Sequence, residues 1–453
     1  MSGTKTIYTC QNCGAQSPKW LGRCPSCGEW NTYLEEIVAK KKPARSTTTK
    51  PDDNPPITLE NIKSKKAYRR IEAGINEFDR VLGGGFVPGS IVLLGGEPGI
   101  GKSTLALQMA LGLNNNKILY ISGEESLQQI KLRADRLTTN NNKCLFLCET
   151  SLESVIHHTE KIQPDLLIID SIQTIATEMI DSSPGSVSQV RECTSSILKF
   201  AKKSETAVIL IGHINKEGSL AGPKVMEHMV DTVLQFEGDS NYMYRILRAN
   251  KNRFGSTNEL GIFEMGNNGL REIINPSEQL ISKTSNDISG TAIASTIQGI
   301  RPFLIEIQAL VSSAAYGTPQ RSSTGFDLRR LNMLLAVLEK RAGFKLLAKD
   351  VFINIAGGLK INDPATDLAV ICAILSSNID TALEHKTCFT GEVGLTGEIR
   401  GVNRIEQRIA EAARLGFNKI FIPIHTRGFD EKKFKIIIIK VGRVEEVIRH
   451  IFK

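Results

Sequence analysis

Residues 96–104 combine closely spaced glycines with a lysine and two hydroxyl side chains. They read Gly-Glu-Pro-Gly-Ile-Gly-Lys-Ser-Thr and lie between an apolar run, 91–94, and a helix-forming stretch, 104–111. In a loop of this GxxxxGK[ST] pattern, backbone N–H groups surround the phosphates of a nucleotide, the lysine contacts the β- and γ-phosphates, and the serine hydroxyl binds Mg²⁺. We therefore predict an ATP and Mg²⁺ site formed by Gly96, Glu97, Pro98, Gly99, Ile100, Gly101, Lys102, Ser103 and Thr104.

Acidic side chains follow two other apolar runs. Asp170 ends the run 166–169, where a carboxylate can hold Mg²⁺ beside Ser103. Glu124 and Glu125 follow the run 118–121, and either carboxylate can polarise an attacking water. The alternative is that this Ser-Gly-Glu-Glu-Ser segment only begins a helix, and a third possibility is that both tasks are met, with one glutamate for each. His213, Asn215 and Lys216 come after another run and are either sensors of the γ-phosphate or an ordinary polar loop.

Four cysteines near the start have the spacing of a metal site. Cys10, Cys13, Cys24 and Cys27 form two CxxC pairs, each followed by a glycine that lets the chain turn. This spacing predicts a tetrahedral Zn²⁺ site whose metal supplies folding energy to a module of about 30 residues, too small to fold on its core alone. Trp20 and Trp30 lie inside the module and either cap its core or stack on a base or partner.

Breaks in composition divide the chain. Segments rich in lysine, threonine, asparagine and proline predict linkers, and apolar runs that alternate with amphipathic stretches predict a doubly wound, mainly parallel α/β sheet. The apolar runs are 91–94, 118–121, 144–148, 166–169, 207–211 and 232–236, and the amphipathic stretches include 127–137 and 187–203. We expect a zinc module at 1–34, a linker at 35–56, an ATPase domain at 57–275, a linker at 276–290 and a further α/β domain at 291–453.

Charge and hydropathy restrict the partners. The formal net charge is +8, and residues 1–70 hold 13 of the lysines and arginines against 6 acidic residues. A basic arm of this kind favours a nucleic acid partner, although a solvated lysine-rich linker is the alternative. No targeting segment opens the sequence, and no apolar stretch approaches the ~18 residues of a membrane span. We therefore expect a cytoplasmic location and no membrane partner.

Residues 251–255 read Lys-Asn-Arg-Phe-Gly. Lys251 and Arg253 are two apart on an extended segment before a glycine, so both cations can project into a neighbouring subunit's nucleotide site and offset phosphate charge. Taken with 95–104, 122–126 and the cysteine pairs, this motif resembles the bacterial RadA (Sms) family of DNA repair ATPases over essentially the whole chain. The resemblance implies a RecA-like core related to DnaB-type ring helicases, with the motif in the place of trans-acting fingers.

The C-terminal segment resembles the proteolytic domain of Lon. Where Lon has its nucleophilic serine, this chain has Ala365, and the position of the partner lysine matches Glu406. A serine–lysine dyad needs a hydroxyl and an amine, so we expect the fold without peptidase activity. We expect this domain to support assembly and to bind DNA through basic residues. The alternative is that these residues only form a solvated helix surface. They are Arg301, Arg321, Arg329, Arg330, Lys340, Arg341, Lys345, Lys349 and Arg400.

These features together predict a zinc-containing ATPase, and the resemblance implies that it forms a hexameric ring. By resemblance, it binds single-stranded and branched DNA and drives branch migration with the RecA recombinase. Lys102 would hold the phosphates, Ser103 and Asp170 the Mg²⁺, and Glu124 or Glu125 the water, while Lys251 and Arg253 complete a neighbour's site. The alternatives are an ATP-dependent protease like Lon, or an ATP-binding switch without motor activity.

Overall fold

Two compact units make up the chain in the computed structural model. The first comprises Met1–Ser240 and Arg245–Glu272, and the second comprises Asn241–Tyr244 and Ile273–Lys453. Within the part of the chain that the structure describes, no helix is both long and apolar enough to span a membrane. The described residues are 4–10, 14–39, 58, 69–137, 143–213, 224–238, 244–281, 288–314, 318–426 and 428–452.

The N-terminal module is a small antiparallel sheet. Its strands are β1 (Thr4–Cys10), β2 (Gln16–Ser17) and β3 (Tyr33–Ala39), in the order β2-β1-β3. The module extends five residues beyond the predicted end at residue 34, because β3 pairs with β1 along its whole length, from Cys10 opposite Tyr33 to Thr4 opposite Ala39. Only the remainder of the predicted linker, 40–56, lies outside the described residues.

The predicted parallel sheet forms the core of the first unit. Nine strands lie in the order β12-β11-β10-β9-β4-β8-β7-β5-β6, and the six from β9 to β6 are parallel. Every apolar run of the sequence analysis lies in one of these six strands, because a strand covered on both faces needs apolar residues throughout. The strands are β4 (Ile91–Gly96), β5 (Ile118–Ser122), β6 (Cys144–Cys148), β7 (Leu166–Asp170), β8 (Ala207–His213), β9 (Thr232–Glu237), β10 (Tyr244–Asn252), β11 (Leu260–Gly266) and β12 (Gly269–Glu272).

Helices cover both faces of this sheet, so the fold is doubly wound. Two separate apolar clusters lie on its two sides, one containing Leu105 and Leu107 of the helix after β4, the other Val190 and Ile197. The two predicted amphipathic stretches correspond to α3 and α5. The helices are α1 (Asn76–Leu82), α2 (Lys102–Gly112), α3 (Leu127–Ala134), α4 (Leu152–Ile162), α5 (Val187–Ser204) and α6 (Lys224–Met229).

The second unit is built on a mixed sheet of seven strands in the order β15-β16-β14-β13-β17-β20-β21, with a separate pair, β18-β19. Its strands are β13 (Thr291–Gln298), β14 (Arg301–Ser313), β15 (Arg321–Thr324), β16 (Lys349–Ile355), β17 (Thr387–Phe389), β18 (Glu392–Val393), β19 (Ile399–Arg400), β20 (Lys419–Pro423) and β21 (Ile437–Val441). Its helices are α7 (Pro276–Leu280), α8 (Leu328–Ala342), α9 (Asp367–Asn378), α10 (Ile405–Arg414) and α11 (Val444–Ile451).

The beginning of the predicted linker 276–290 is packed structure. Leu280 of α7 is buried, and Ser277 Oγ donates to Glu411 Oε1 at 2.8 Å and accepts from Leu304 N at 3.0 Å. Polar composition suggested a linker here, but the buried Ser277 side chain ties the helix to β14 and α10.

A buried ion pair ties α8 to α9. Asp367 is fully buried, and Arg330 binds its carboxylate with two hydrogen bonds, of which Nε to Oδ1 is 2.5 Å. Val393 N donates to the same carboxylate at 3.0 Å. Because burial of an unpaired carboxylate is costly, Arg330 is committed to this contact. It is therefore not the free phosphate-binding residue that the sequence suggested.

Replacing Arg330 with alanine leaves the Asp367 carboxylate buried without its cation. We expect the free energy of opening around α9 to fall by about 3–5 kcal/mol. Hydrogen–deuterium exchange of peptides covering residues 367–378 in the full chain measures this change. Arg329→Ala, one residue away but exposed, is the matched control and should alter exchange there by less than about 0.5 kcal/mol. Equal exchange in the two variants would contradict the role of the ion pair.

Candidate functional site

The predicted nucleotide loop joins β4 to α2. The chain leaves β4 at Gly96, and α2 begins at Lys102, so the N-terminal N–H groups of the helix face the loop. Gly101 has φ of +113°, a conformation that residues with a side chain rarely adopt, so the turn favours glycine. This strand, glycine turn and helix form the geometry that binds phosphates at a helix N-terminus.

Lys102 is buried at the centre of the loop. Its Nζ donates to the backbone oxygens of Gly96 at 2.8 Å and Glu97 at 2.9 Å. Burial lowers the pKa of Lys102 to about 8, and the nearby carboxylates of Asp170, Glu124 and Glu97 oppose this shift. Further negative charge, such as a polyphosphate carries, stabilises the ammonium form at this position.

Asp170 lies beside Ser103, as predicted. Asp170 ends β7 directly opposite Ser122 of β5, and its Oδ1 accepts a hydrogen bond from Ser103 Oγ at 3.1 Å. A hydroxyl and a carboxylate oxygen are hard donors that suit Mg²⁺, which takes one or two protein ligands and completes its shell with waters and phosphates. These two residues therefore fit a Mg²⁺ ion.

Glu124 and Glu125 have different surroundings. Glu124 Oε1 accepts from Ser171 Oγ and lies 3.1 Å from His213 Nε2. Burial alone raises the pKa of Glu124, but hydrogen bonds from Ser171 and His213, together with the charge of Lys102, bring it below its ordinary value. Glu124 is thus an ionised carboxylate held close to the phosphate loop.

Glu125 is occupied by a cation of α3. Its carboxylate forms an ion pair with Arg133. The helix cap is provided by Ser126 and Gln129, which bond reciprocally to each other's backbone N–H groups. Neither glutamate side chain is therefore needed to cap α3, in contrast to the capping alternative.

Some residues of this site escaped the sequence analysis. Tyr120 contacts the carboxylate of Asp170, and Ser171 contacts that of Glu124. Tyr120 lies within an apolar run, so it carried no signal in the sequence, and the only signal for Ser171 was its place after Asp170. His213 contacts Glu124 as described above. Asn215 and Lys216, considered with it, lie outside the described residues.

Lys251 and Arg253 make different contacts within their own chain. Lys251 Nζ donates to the backbone oxygens of Glu227, His228 and Val230 at 2.7, 3.2 and 2.7 Å, at the C-terminal end of α6. Arg253 Nη1 lies 3.2 Å from Asp231 Oδ1, while 52% of the Arg253 side chain is exposed. Among the contacts described for these two side chains, none reaches residues 96–104.

The cysteines converge as a metal site requires. The Sγ atoms of Cys10, Cys24 and Cys27 all lie within 4.8 Å of one another. Gly14 N donates to Cys10 O and Gly28 N donates to Cys24 O, both at 2.8 Å, so each glycine makes an equivalent contact with the first cysteine of its pair. Three convergent sulfurs fit Zn²⁺, which prefers thiolate ligands in a closed tetrahedral site. Cys13, the fourth predicted ligand, lies outside the described residues.

Neither tryptophan belongs to the core of this module. The core consists of Cys10, Cys24 and Tyr33, whereas Trp20 and Trp30 are 53% and 66% exposed. The Arg23 guanidinium lies 5.8 Å from the Trp30 ring centroid. Of the two interpretations of the tryptophans, the structure disfavours core capping and leaves both rings accessible to a base or a partner.

The Lon-like segment holds an ion pair near the two substituted positions. Arg408 is buried, and its Nη1 lies 2.8 Å from Asp363 Oδ2, which also accepts from Ile297 N at 2.8 Å. These residues stand two positions from Glu406 and Ala365, respectively. The Ala365 methyl is buried and Glu406 is exposed on α10, and neither side chain supplies the hydroxyl or the amine of a serine–lysine dyad.

Several cations predicted to bind DNA are engaged within the second unit. Arg301 donates to Ile274 O, Arg321 to Asn332 Oδ1 and Lys349 to Asn378 Oδ1, while Arg400 pairs with Glu398 and Arg330 with Asp367. Four others of the set are exposed, and no hydrogen bond or ion pair is described for their side chains: Arg329, Lys340, Arg341 and Lys345.

Cys24→Ala removes one of the convergent sulfurs. We expect zinc content to fall from about one ion per chain to near zero, with unfolding confined to the N-terminal module, because metal binding supplies its folding energy. Metal analysis of the purified full chain gives the content, and exchange of residues 14–39 against 91–122 locates the unfolding. Cys148→Ala, an exposed cysteine outside the module, is the control and should retain zinc. A folded wild-type module without zinc would refute the assignment.

The N-terminal module, the ATPase domain and the C-terminal domain each match the model of a known protein family. Residues 8–35 match a model described as "Rubredoxin metal binding domain", residues 60–219 one described as "AAA domain", and residues 326–426 one described as "Subunit ChlI of Mg-chelatase". Among solved structures, a KaiC-like protein from Pyrococcus horikoshii OT3 is 22% identical, with a TM-score of 0.39, and covers 46% of this chain and 99% of that one. The assignment of a RecA-like core rests on the strand order and the phosphate loop, not on that low score.

Full-length relatives are much closer. "DNA repair protein RadA" of Bacillus subtilis (strain 168) is 49% identical over 99% of both chains. Proteins of the same name from Listeria monocytogenes (strain EGD-e) and Streptococcus pyogenes serotype M6 are 48% and 46% identical, over 98% and 100% of this chain and 97% and 100% of theirs. The predicted fold class is confirmed: a zinc ribbon, a RecA-like P-loop ATPase core and a Lon-like α/β domain. This chain belongs to the RadA family of DNA repair proteins and is a RecA-like ATPase.

Proposed function

We propose that the protein couples ATP hydrolysis to movement on single-stranded or branched DNA, as a ring of subunits that acts with the RecA recombinase on recombination intermediates. The convergence of Lys102, Ser103 with Asp170, and Glu124 at one edge of the parallel sheet carries the hydrolytic part of this proposal. The name of its relatives, DNA repair protein RadA, supports the DNA-directed part.

The geometry suggests a role for each residue in hydrolysis. Lys102 and the backbone N–H groups of the loop hold the β- and γ-phosphates, and Ser103 and Asp170 hold Mg²⁺, which neutralises phosphate charge. Glu124 accepts a hydrogen bond from the attacking water and polarises it. Ser171 and His213 keep the Glu124 carboxylate in place for this task.

Arg253 is the better candidate for completing a neighbour's site. Lys251 is engaged with three carbonyl oxygens at the end of α6, so we assign it a positioning role. The Arg253 side chain is half-exposed, and its partner Asp231 is on its own chain. An exposed guanidinium can contact transition-state charge across a subunit boundary, as arginine fingers do.

DNA contacts follow from the cations and rings that remain accessible. The four exposed cations Arg329, Lys340, Arg341 and Lys345 are suited to phosphate contacts. Trp20 and Trp30 offer exposed aromatic faces on which bases can stack. These groups are the DNA-binding residues of the proposal.

Two other functions are less well supported. An ATP-dependent protease needs a nucleophile and an amine, which Ala365 and Glu406 do not provide. An ATP-binding switch without motor activity shares the same nucleotide site, so hydrolysis does not separate it from a motor. Movement along DNA distinguishes a motor from such a switch.

Glu124→Gln and Glu125→Gln form a matched pair that tests the hydrolytic site. We expect Glu124→Gln to lower the kcat of DNA-stimulated ATP hydrolysis by about 10²–10⁴-fold, because the water loses its base. Glu125→Gln loses only the ion pair with Arg133 and should stay within about threefold of wild type. Steady-state phosphate release with and without single-stranded DNA measures both. A larger loss for Glu125→Gln would contradict the assignment, and a lack of DNA stimulation in wild type would contradict the DNA coupling.

Mixing two inactive variants tests the boundary-crossing role of Arg253. Arg253→Ala should lower kcat by about 10³-fold, and Lys102→Ala should abolish turnover. In mixed rings, some sites combine the intact loop of one parent with the intact arginine of the other, so turnover should partly return. No recovery in proven mixed rings would place Arg253 in its own subunit's site.

Movement along DNA separates a motor from a switch. Displacement of streptavidin from biotinylated single-stranded DNA by the wild-type ring measures this movement. Turnover without displacement in wild type would favour the switch.

A further inference from the structure

Tyr120 lies in the middle of β5 with its hydroxyl on a carboxylate of the nucleotide site. The side chain is 1% exposed, and its Oη donates to Asp170 Oδ2 at 2.6 Å. In the sheet register Tyr120 is opposite Ile168 and Ser122 is opposite Asp170, so the phenol extends two residues along the strand to reach the carboxylate. The ring packs against Phe146 with centroids 5.6 Å apart, which fixes its direction.

The two oxygens of Asp170 thus have different hydroxyl partners. Oδ2 accepts from Tyr120, and Oδ1 accepts from Ser103, the residue that fits Mg²⁺. Within the described part of the chain, no lysine, arginine or histidine nitrogen forms an ion pair with Asp170. The orientation of this buried carboxylate therefore depends on neutral donors.

The direction of the Tyr120 hydrogen bond is fixed by chemistry. An ionised carboxylate only accepts hydrogen bonds, so the phenol must donate. A tyrosine hydroxyl carries its proton at neutral pH, so it is available as a donor. Rotation of the carboxylate would leave a buried phenol without an acceptor, which is costly.

We propose that Tyr120 is a positioning residue that holds Asp170 with Oδ1 toward Ser103, ready to bind Mg²⁺. This inference rests on the ATPase function. Carboxylates that bind metals are commonly oriented by a hydrogen bond from a residue behind them, and loss of such a partner weakens metal binding by about 10–100-fold. Tyr120 takes no part in the chemical step, because its hydroxyl is buried behind the carboxylate.

Tyr120→Phe keeps the ring and removes only the hydroxyl. We expect it to weaken Mn²⁺ binding, used as a paramagnetic probe for Mg²⁺, by about tenfold in the presence of saturating ADP. ADP binding without divalent cation should change by less than about twofold, because the phosphate loop is untouched. Electron paramagnetic resonance of free Mn²⁺ gives the first affinity, and calorimetry gives the second. In hydrolysis assays, the Mg²⁺ concentration for half-maximal rate should rise while kcat at saturating Mg²⁺ recovers.

Thr194→Val is the matched control, because it also removes a buried hydroxyl from this unit. Thr194 Oγ1 donates to Val190 O at 2.7 Å within α5 and does not contact Asp170. Mn²⁺ affinity should be unchanged in this variant. An unchanged Mn²⁺ affinity in Tyr120→Phe, or a parallel loss of metal-free ADP binding and thermal stability, would overturn the positioning role. If wild type binds Mn²⁺ with ADP but hydrolyses no ATP, the proposed hydrolytic function is wrong, whereas the positioning of Asp170 by Tyr120 is still supported.

Discussion

The burial of a single ammonium group organises the nucleotide site. A buried charge is costly unless it is hydrogen-bonded and paired, and Lys102 is 4% exposed. Two backbone oxygens of its own loop accept hydrogen bonds from the ammonium group. The carboxylates of Asp170, at the end of β7, and Glu124, just beyond β5, interact with it electrostatically. Burial still outweighs these carboxylates, since the pKa stays near 8. The site therefore favours a ligand that brings additional negative charge.

Hydroxyl groups hold the acidic side chains of this site without adding charge. Ser103 and Tyr120 bind the two oxygens of Asp170, and Ser171 binds Glu124. A lysine or arginine in these places would pair with the carboxylates and compete with the metal ion and the attacking water for them. Hydroxyl donors instead leave both negative charges available, one for a cation and one for water, while His213 adds a further contact to Glu124. This division explains why two nearby acids can have different tasks.

Elsewhere in the chain, cations stabilise structure. In the second unit, Arg408 pairs with Asp363 and Arg330 with Asp367, and both pairs include a nearly or fully buried member. In the first unit, Lys251 satisfies carbonyl oxygens that the end of α6 leaves open. A basic residue that is part of a conspicuous sequence pattern can thus be fully engaged within its own chain.

Local patterns were sufficient to predict the six parallel strands of the first unit, the phosphate loop, the convergence of Cys10, Cys24 and Cys27, and the pairing of Ser103 with Asp170. Each depends on residues close in sequence or on the rule that parallel strands end at a common edge. Other assignments required the tertiary structure, because they depend on partners far along the chain. Glu124 differs from Glu125 through its contacts with Ser171 and His213. Tyr120 acts only because β5 lies beside β7, and Arg330 is committed only because α9 buries Asp367. Sequence spacing shows which side chains are available, whereas burial and packing decide which charge each one meets.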